Sequence, residues 1–333
     1  MDSITVLDAL PHDRPFTATE AAREGVDRRL LYELVSSGFL RHPVRSVFYL
    51  AGLRDTVELR VACLKSVLPP DAFATDHTAA WLHAGAEALP PNADLKEPEL
   101  TFFRPSDAGC LRNKICHSGE RSVLPEDLME VGGVPTTTPL RTAWDLGRLQ
   151  RADQAMWGID LMMKVANIAP HELIAGLPRF KGERGVVQLR GLVTWADPGS
   201  ESFGESALRL RWRRAEIPKP ESQISLCVDG VEVARIDQGL PEVLFGAEYF
   251  GEEWHGEDEA EHDETRLRWI RDERGYAIEV FRREDVFGAA QTADFRLRRA
   301  YEQALATLPQ KRHFLLLQKR EMALATARSA DSP

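Results

Sequence analysis

The sequence has no apolar run near the roughly 20 residues that a membrane-spanning helix needs. Its opening Met1-Asp2-Ser3 lacks the basic stretch followed by an apolar one that marks a secretory signal. These absences predict a protein of a bacterial-type cytoplasm, with no membrane partner. Cysteine is scarce and scattered: Cys63, Cys110, Cys116 and Cys227 form no CxxC pair, so neither a disulfide framework nor a zinc site is signalled. There is no glycine-rich phosphate loop, no serine-nucleophile motif and no HExxH, and Cys116 beside His117 is too isolated to form a nucleophilic pair. What is present is ordinary for a globular chain. Of 333 residues 43% are hydrophobic and 28% charged, which argues against a fibrous or mainly disordered protein and leaves ample material for cores. The length predicts two or three domains. The net charge of −10, from 42 Lys+Arg against 52 Asp+Glu, at face value opposes nucleic-acid binding.

The position of the charges changes that inference. Residues 252–264 read EEWHGEDEAEHDE, with eight acids and no Lys or Arg. This one stretch, expected to be a solvated loop, carries most of the net charge. Elsewhere the chain is near neutral and locally basic. Arg28, Arg29, Arg41, Arg45 and Arg54 face only Glu33 between positions 28 and 54, and Arg209, Arg211, Arg213, Arg214 and Lys219 cluster further on.

Residues 1–54 read as three short helices and a hairpin. Ile4, Leu7 and Leu10 fit the first. Thr17 and Glu20 have capping-box spacing for the second, which Gly25 ends. Asp27 caps a third over Arg28–Ser37, striped by Leu30, Leu31, Leu34 and Val35. Two short strands then flank a basic turn at 42–46. Helix, glycine turn, helix and basic hairpin is the order of a winged helix-turn-helix. On that expectation Arg28, Arg29 and Tyr32 start the recognition helix, Arg41 and Arg45 sit in the wing, and the partner is double-stranded DNA. Residues 55–198 read as a mainly helical domain, with short strands at 100–103 and 114–117 and a helix starting at Thr138-Pro139 in which Arg141 and Asp145, four apart, can pair. Residues 199–309 read α-β-β-β-α-β-α, with Asp229-Gly230 as a two-residue hairpin turn. Residues 310–333 read as a tail. The expected fold class is α+β multidomain.

The last module carries the candidate chemistry. Asp237 ends its second strand and Glu248 lies in its third, expected over Glu242–Phe250. Two carboxylates on adjacent strands suit one Mg²⁺, or Mn²⁺ in its place, which would activate water against a phosphodiester. Glu205 on the preceding helix can add an oxygen, and His255 an acid or base. The competing reading makes Glu205 a helix cap, Asp237 a strand end and the acidic stretch a solvated segment. Residues 201–308 resemble the PD-(D/E)xK nucleases, nearest their very-short-patch-repair-like branch, on Glu205, Asp237, Glu248 with Gly251, and His255. That resemblance implies a restriction-endonuclease-like fold and a metal-dependent endonuclease. The chain departs from the pattern at Phe250, which stands where Asp or Lys is expected and cannot bind metal or water.

Two further segments carry a second resemblance. Residues 74–83 read ATDHTAAWLH and residues 133–146 read GVPTTTPLRTAWDL. With the N-terminal pattern they resemble the SHxSAAxLxG and GIPVTxPxRTxxDLA signatures of AbiEi-type antitoxins and regulators. This implies operator binding by the winged helix and a middle domain serving as scaffold or as the surface for a cognate toxin or defence partner. Two functions are therefore expected: a DNA-binding protein with a metal-dependent endonuclease module, or a non-catalytic transcriptional autoregulator or antitoxin whose nuclease-like module is degenerate. The oligomeric state has no signal in the sequence.

Overall fold

A computed structural model of the chain describes residues 7–44, 46–54, 56–69, 71–88, 100–110, 116–251, 257–287 and 292–307. Among them are twelve α-helices and thirteen strands in three sheets, a mixed α+β architecture. No helix among the described residues is long and apolar enough to cross a membrane. The chain divides into two compact units, Met1–Asp145 and Leu146–Pro333, a division that falls within the 55–198 span.

The first unit opens with β1 (Phe16–Thr17), α1 (Ala18–Arg23), α2 (Arg28–Ser36), β2 (Leu40–Val44) and β3 (Val47–Leu50). Thr17 and Glu20 make the reciprocal box at the start of α1: Thr17 Oγ1 accepts from the Glu20 N–H at 3.1 Å, and Glu20 Oε2 accepts from the Thr17 N–H at 2.7 Å. Asp27 Oδ1 caps α2 by accepting from the Leu30 N–H at 2.8 Å. The three strands form an antiparallel sheet in the order β1-β3-β2. Leu10, Phe16, Val26, Leu31, Leu34, Leu40 and Phe48 share its core. The two-residue β1 was not legible in the sequence, because two residues are too few to show alternation.

The unit continues with α3 (Val57–Lys65), β4 (Phe73–Ala74), α4 (Asp76–Ala84), β5 (Leu100–Pro105), β6 (Cys116–His117), β7 (Glu120–Arg121), β8 (Leu128–Val131) and β9 (Val134–Thr137). Five of these strands run in the order β6-β5-β4-β9-β8, with β7 also on β5. The sequence suggested strands near 100–103 and 114–117 only. The β8–β9 hairpin escaped because each arm has four residues, joined by Gly132 and Gly133 at positive φ. Helix α5 (Pro139–Leu149) starts at the proline as expected. Arg141 Nε meets Asp145 Oδ2 at 2.8 Å, with both side chains buried. Asp145 also lies 3.3 Å from Arg121 Nη1, and Arg121 holds Asp76 at 2.6 Å.

The second unit contains α6 (Ala152–Ala166), α7 (Pro170–Ala175), α8 (Val186–Val193), α9 (Phe203–Arg214), β10 (Glu221–Val228), β11 (Val231–Leu240), β12 (Phe245–Tyr249), α10 (Glu257–Asp272), β13 (Ala277–Phe281), α11 (Arg283–Val286) and α12 (Ala293–Ala306). Helix α6 was missed in the sequence. It is buried without interruption from Ala155 to Met163, so no polar face marks its period. From α9 onward the order is the expected one, with the short α11 added. The sheet runs β10-β11-β12-β13. Its pairs are antiparallel except β12 with β13, which are parallel and joined through α10. Asp229 and Gly230 both take positive φ, +50° and +81°, as a type I′ turn requires.

Two expectations are corrected here. The third strand begins at Phe245, not Glu242, because Pro241–Val243 forms a 3₁₀ turn and Leu244 turns to φ +52°. The acidic stretch is not all loop: α10 starts at Glu257 and takes in the acids from there to Glu264. Glutamate is a good helix former, acids at a helix N-terminus favour its dipole, and no Gly or Pro interrupts positions 257–272. The tail, 310–333, lies outside the described residues.

The alternation of β12 sets the faces. Phe245 and Ala247 join Trp212 of α9 and Leu297 and Tyr301 of α12 in one cluster. Phe250, one residue past the strand, packs with Leu226, Ile236, Leu267 and Ile270, the last two on α10. The residue that departs from the nuclease pattern is therefore a packing residue on the α10 side.

Candidate functional site

The structure brings together Glu205, Asp237 and Glu248. Glu205 sits in the first turn of α9, beginning from Ser202, whose Oγ accepts from the Glu205 N–H at 3.2 Å. The Glu205 side chain does not complete a capping box. Its Oε2 instead accepts from the Glu201 N–H at 3.0 Å and from Gln223 Nε2 of β10 at 2.9 Å. Asp237 of β11 lies one step beyond the Gln238–Ala247 pair, which brings it opposite Glu248 of β12. Asp237 Oδ2 accepts from the Tyr249 N–H at 2.9 Å. His255, the expected acid or base, lies outside the described residues.

Burial and crowding raise all three carboxyls. Asp237 is pushed up to about 7 by burial first and then by the charges of Glu205 and Glu248, with the Tyr249 N–H and Arg266 pulling the other way. Burial raises Glu205 against its hydrogen bonds. Burial also raises Glu248, against the pull of Arg266.

Arg266, on α10, is the residue that the sequence reading missed. Its Nη1 donates to Glu248 Oε1 at 2.9 Å and its Nη2 to Oε2 at 2.6 Å, a parallel two-bond clamp. Nη1 also donates to the Arg235 carbonyl at 3.2 Å, and Asp263 lies 3.6 Å away. Burial opposes the charge on Arg266, but Glu248, Asp263 and Asp237 outweigh it and raise its pKa. The signal in the sequence was its position beside the apolar stripe of α10, next to Leu267 and four residues before Ile270. Both of those are buried, so an arginine there needs a buried acid to meet.

This arrangement does not fit the expected Mg²⁺ or Mn²⁺. A cation held by Asp237 and Glu248 would have to share the Glu248 oxygens with Arg266, which already donates to both. The guanidinium supplies the positive charge that a metal would bring, and repels a second cation. Among the described residues no group of three or more His, Cys, Asp or Glu is arranged to hold a metal. Phe250 offers no oxygen or amine in compensation.

The second candidate surface lies in the first unit. Arg28, Arg29 and Tyr32 on α2 and Arg41 on β2 are all exposed. Arg45 lies outside the described residues. Arg28 Nη2 donates to Ser46 Oγ at 3.4 Å across to the hairpin, and Arg29 Nε pairs with Glu33 Oε1 at 3.0 Å. Tyr32 meets His42 edge-on at 5.4 Å between ring centroids, and His42 stacks on Phe48 at 4.6 Å. Burial, then the charge of Arg28, pushes the His42 pKa below its usual value. The described positive charge of this surface at neutral pH therefore comes from arginines, while Tyr32 and His42 bind helix to hairpin.

The chain is similar to two proteins of Mycobacterium tuberculosis: Uncharacterized protein MT2308 of strain CDC 1551 / Oshkosh and Uncharacterized protein Rv2248 of strain ATCC 25618 / H37Rv. Each is 33% identical over 152 residues, 45% of this chain and 56% of the relative, so the chain spans just over half the length of these relatives. No family model matches the sequence.

Proposed function

We propose that the chain is a non-catalytic, double-stranded-DNA-binding regulator. The N-terminal helices and hairpin act as a winged helix-turn-helix, and the last module has a nuclease-like order of elements with a site closed by its own arginine. The observation that carries the reading is the clamp of Arg266 on Glu248, which takes up the carboxylate a metal-dependent nuclease would need. The exposed Arg28, Arg29, Tyr32 and Arg41 support the DNA-binding half. The AbiEi resemblance adds an expected role as autoregulator or antitoxin, with a toxin or defence protein as partner.

Two measurements test this. Gel shifts at rising salt compare the wild type with Arg28→Ala/Arg29→Ala. The variant binds more weakly and loses about one to two units of salt slope, one for each phosphate contact removed. An unchanged affinity and slope overturns the DNA-binding assignment. Plasmid, linear and single-stranded DNA are then incubated with the protein in Mg²⁺ and in Mn²⁺. No cleavage is expected; cleavage abolished by Asp237→Ala and Glu248→Ala would overturn the non-catalytic reading and establish the endonuclease.

A further inference from the structure

A cavity of about 130 Å³ in the second unit lies between the start of α6 and the last turns of α9, walled by Arg151, Asp153, Arg211 and Arg214 with Leu210 and Phe287. Three guanidinium groups meet one carboxylate in that wall. Arg211 is buried, and its Nη2 donates to the Val286 carbonyl while Nη1 lies 3.6 Å from Asp294. Arg151 and Arg214 are exposed at the rim, and Arg151 Nη2 is 3.7 Å from Asp153 Oδ2. With Asp294 counted, the named groups are three guanidiniums against two carboxylates. Burial holds Arg211 below its usual pKa against the pull of Asp294, and the charge of Arg214 acts with burial. Like charges gathered around a cavity repel one another unless an anion lies among them.

The cavity also opens onto the first turn of the fifteen-residue α6. Asp153 Oδ1 accepts from the Gln154 N–H at 3.0 Å in that turn. We propose that this arginine-lined cavity binds a phosphate group, held by Arg151, Arg211 and Arg214. Guanidinium forks match phosphate oxygens in pairs, which favours phosphate over a spherical halide. The Asp153 carboxylate opposes the anion and sets an upper limit on affinity. This site is separate from the Glu205, Asp237 and Glu248 cluster and does not depend on the proposed function.

The test titrates the full-length protein with inorganic phosphate by calorimetry at fixed ionic strength, with chloride as the control. Wild type binds phosphate with a Kd of about 1 mM or tighter. Arg151→Gln and Arg214→Gln, both at exposed positions, each weaken binding about tenfold, the loss expected for one charge-assisted contact. Asp153→Asn keeps the acceptor for the Gln154 N–H, removes the opposing charge and tightens binding about tenfold. Absence of phosphate binding by wild type overturns the proposal, as does binding that none of the three substitutions changes. A second arm measures duplex-DNA affinity for the same variants. A parallel loss assigns the phosphate to the DNA backbone; unchanged DNA affinity beside weakened phosphate binding assigns it to free phosphate or a phosphomonoester.

Discussion

Arg266 closes on Glu248 through two parallel hydrogen bonds of 2.9 and 2.6 Å, so a helix that follows β12 supplies the counter-charge for a carboxylate inside that strand. Glu248 is only 1% exposed, and its ion-pair partner among the described residues is Arg266. Removing the arginine leaves a buried charge uncompensated. Arg266→Ala is therefore predicted to cost about 3 kcal/mol, and Glu248→Gln less, because Arg266 retains solvent and Asp263. The same substitution frees the Glu248 oxygens beside Asp237. The melting temperature of Arg266→Ala rises with millimolar Mn²⁺, while that of the wild type does not respond to Mn²⁺ or to EDTA. Thermal unfolding with and without the ion checks both; a wild type that EDTA destabilises would show that a metal already occupies the site.

Asp237 yields a pH prediction. Its carboxyl is held at about 7 in the fold, above the ~3.9 of an unfolded chain. The folded chain therefore keeps a proton that the unfolded chain releases, and the stability this contributes is complete below pH ~4 and lost as pH rises through about 7. Asp237→Asn still accepts from the Tyr249 N–H and carries no charge to crowd Glu205 and Glu248. It matches the wild type near pH 4 and exceeds it by about 2 kcal/mol at pH 8, after allowance for solvent at a partly exposed site. Urea midpoints across that range measure the gap, and a gap that does not widen with pH refutes the crowding.

Asp160 and Arg209 form a fully buried ion pair in the second unit, joining α6 to α9. Ser206 Oγ, at 2.5 Å, and the Asp197 N–H, at 2.8 Å, also donate to Asp160, and Arg209 donates to the Trp195 carbonyl and to Ser200. Arg209→Met strands the carboxylate and is predicted to cost about 3–5 kcal/mol. Replacing both residues, Asp160→Leu with Arg209→Met, recovers about half of that and leaves the neighbouring donors and acceptors unsatisfied. Denaturant unfolding of the two single variants and the double one gives the coupling directly.

Glu33 holds Arg29 at 3.0 Å with both side chains largely exposed. On the proposed DNA-binding face it neutralises one of the arginines offered to phosphate. Glu33→Gln is predicted to raise duplex affinity two- to threefold at about 50 mM salt, with the gain fading at higher salt. Equal affinity at low salt would place Arg29 away from the DNA.

The local signals were legible where a few neighbouring residues decide the outcome. The Thr17–Glu20 box, the Asp27 cap, the Pro139 helix start, the Arg141–Asp145 pair and the Asp229-Gly230 turn all follow from spacing along the chain. Short strands such as β8 and β9 were not, because their pairing lies in partners brought from elsewhere. Helix α6 was lost for the opposite reason: burial on nearly every side erases the pattern that reveals a helix.

At the carboxylate cluster, the order of two consecutive strands was enough to put Asp237 near Glu248, and Glu205 follows Ser202, whose hydroxyl accepts from the Glu205 N–H at the start of that helix. The charge at that cluster was decided by the tertiary structure alone. Whether Glu248 meets a metal or a guanidinium depends on how α10 crosses between β12 and β13, and this crossing sets Arg266, eighteen positions later in the chain, against the Glu248 oxygens. Local sequence governs which residues can cap, turn and alternate, since those interactions span three or four positions. The partner of a buried charge is selected by the energy of leaving it unpaired, and only the packed fold determines which side chain is within reach.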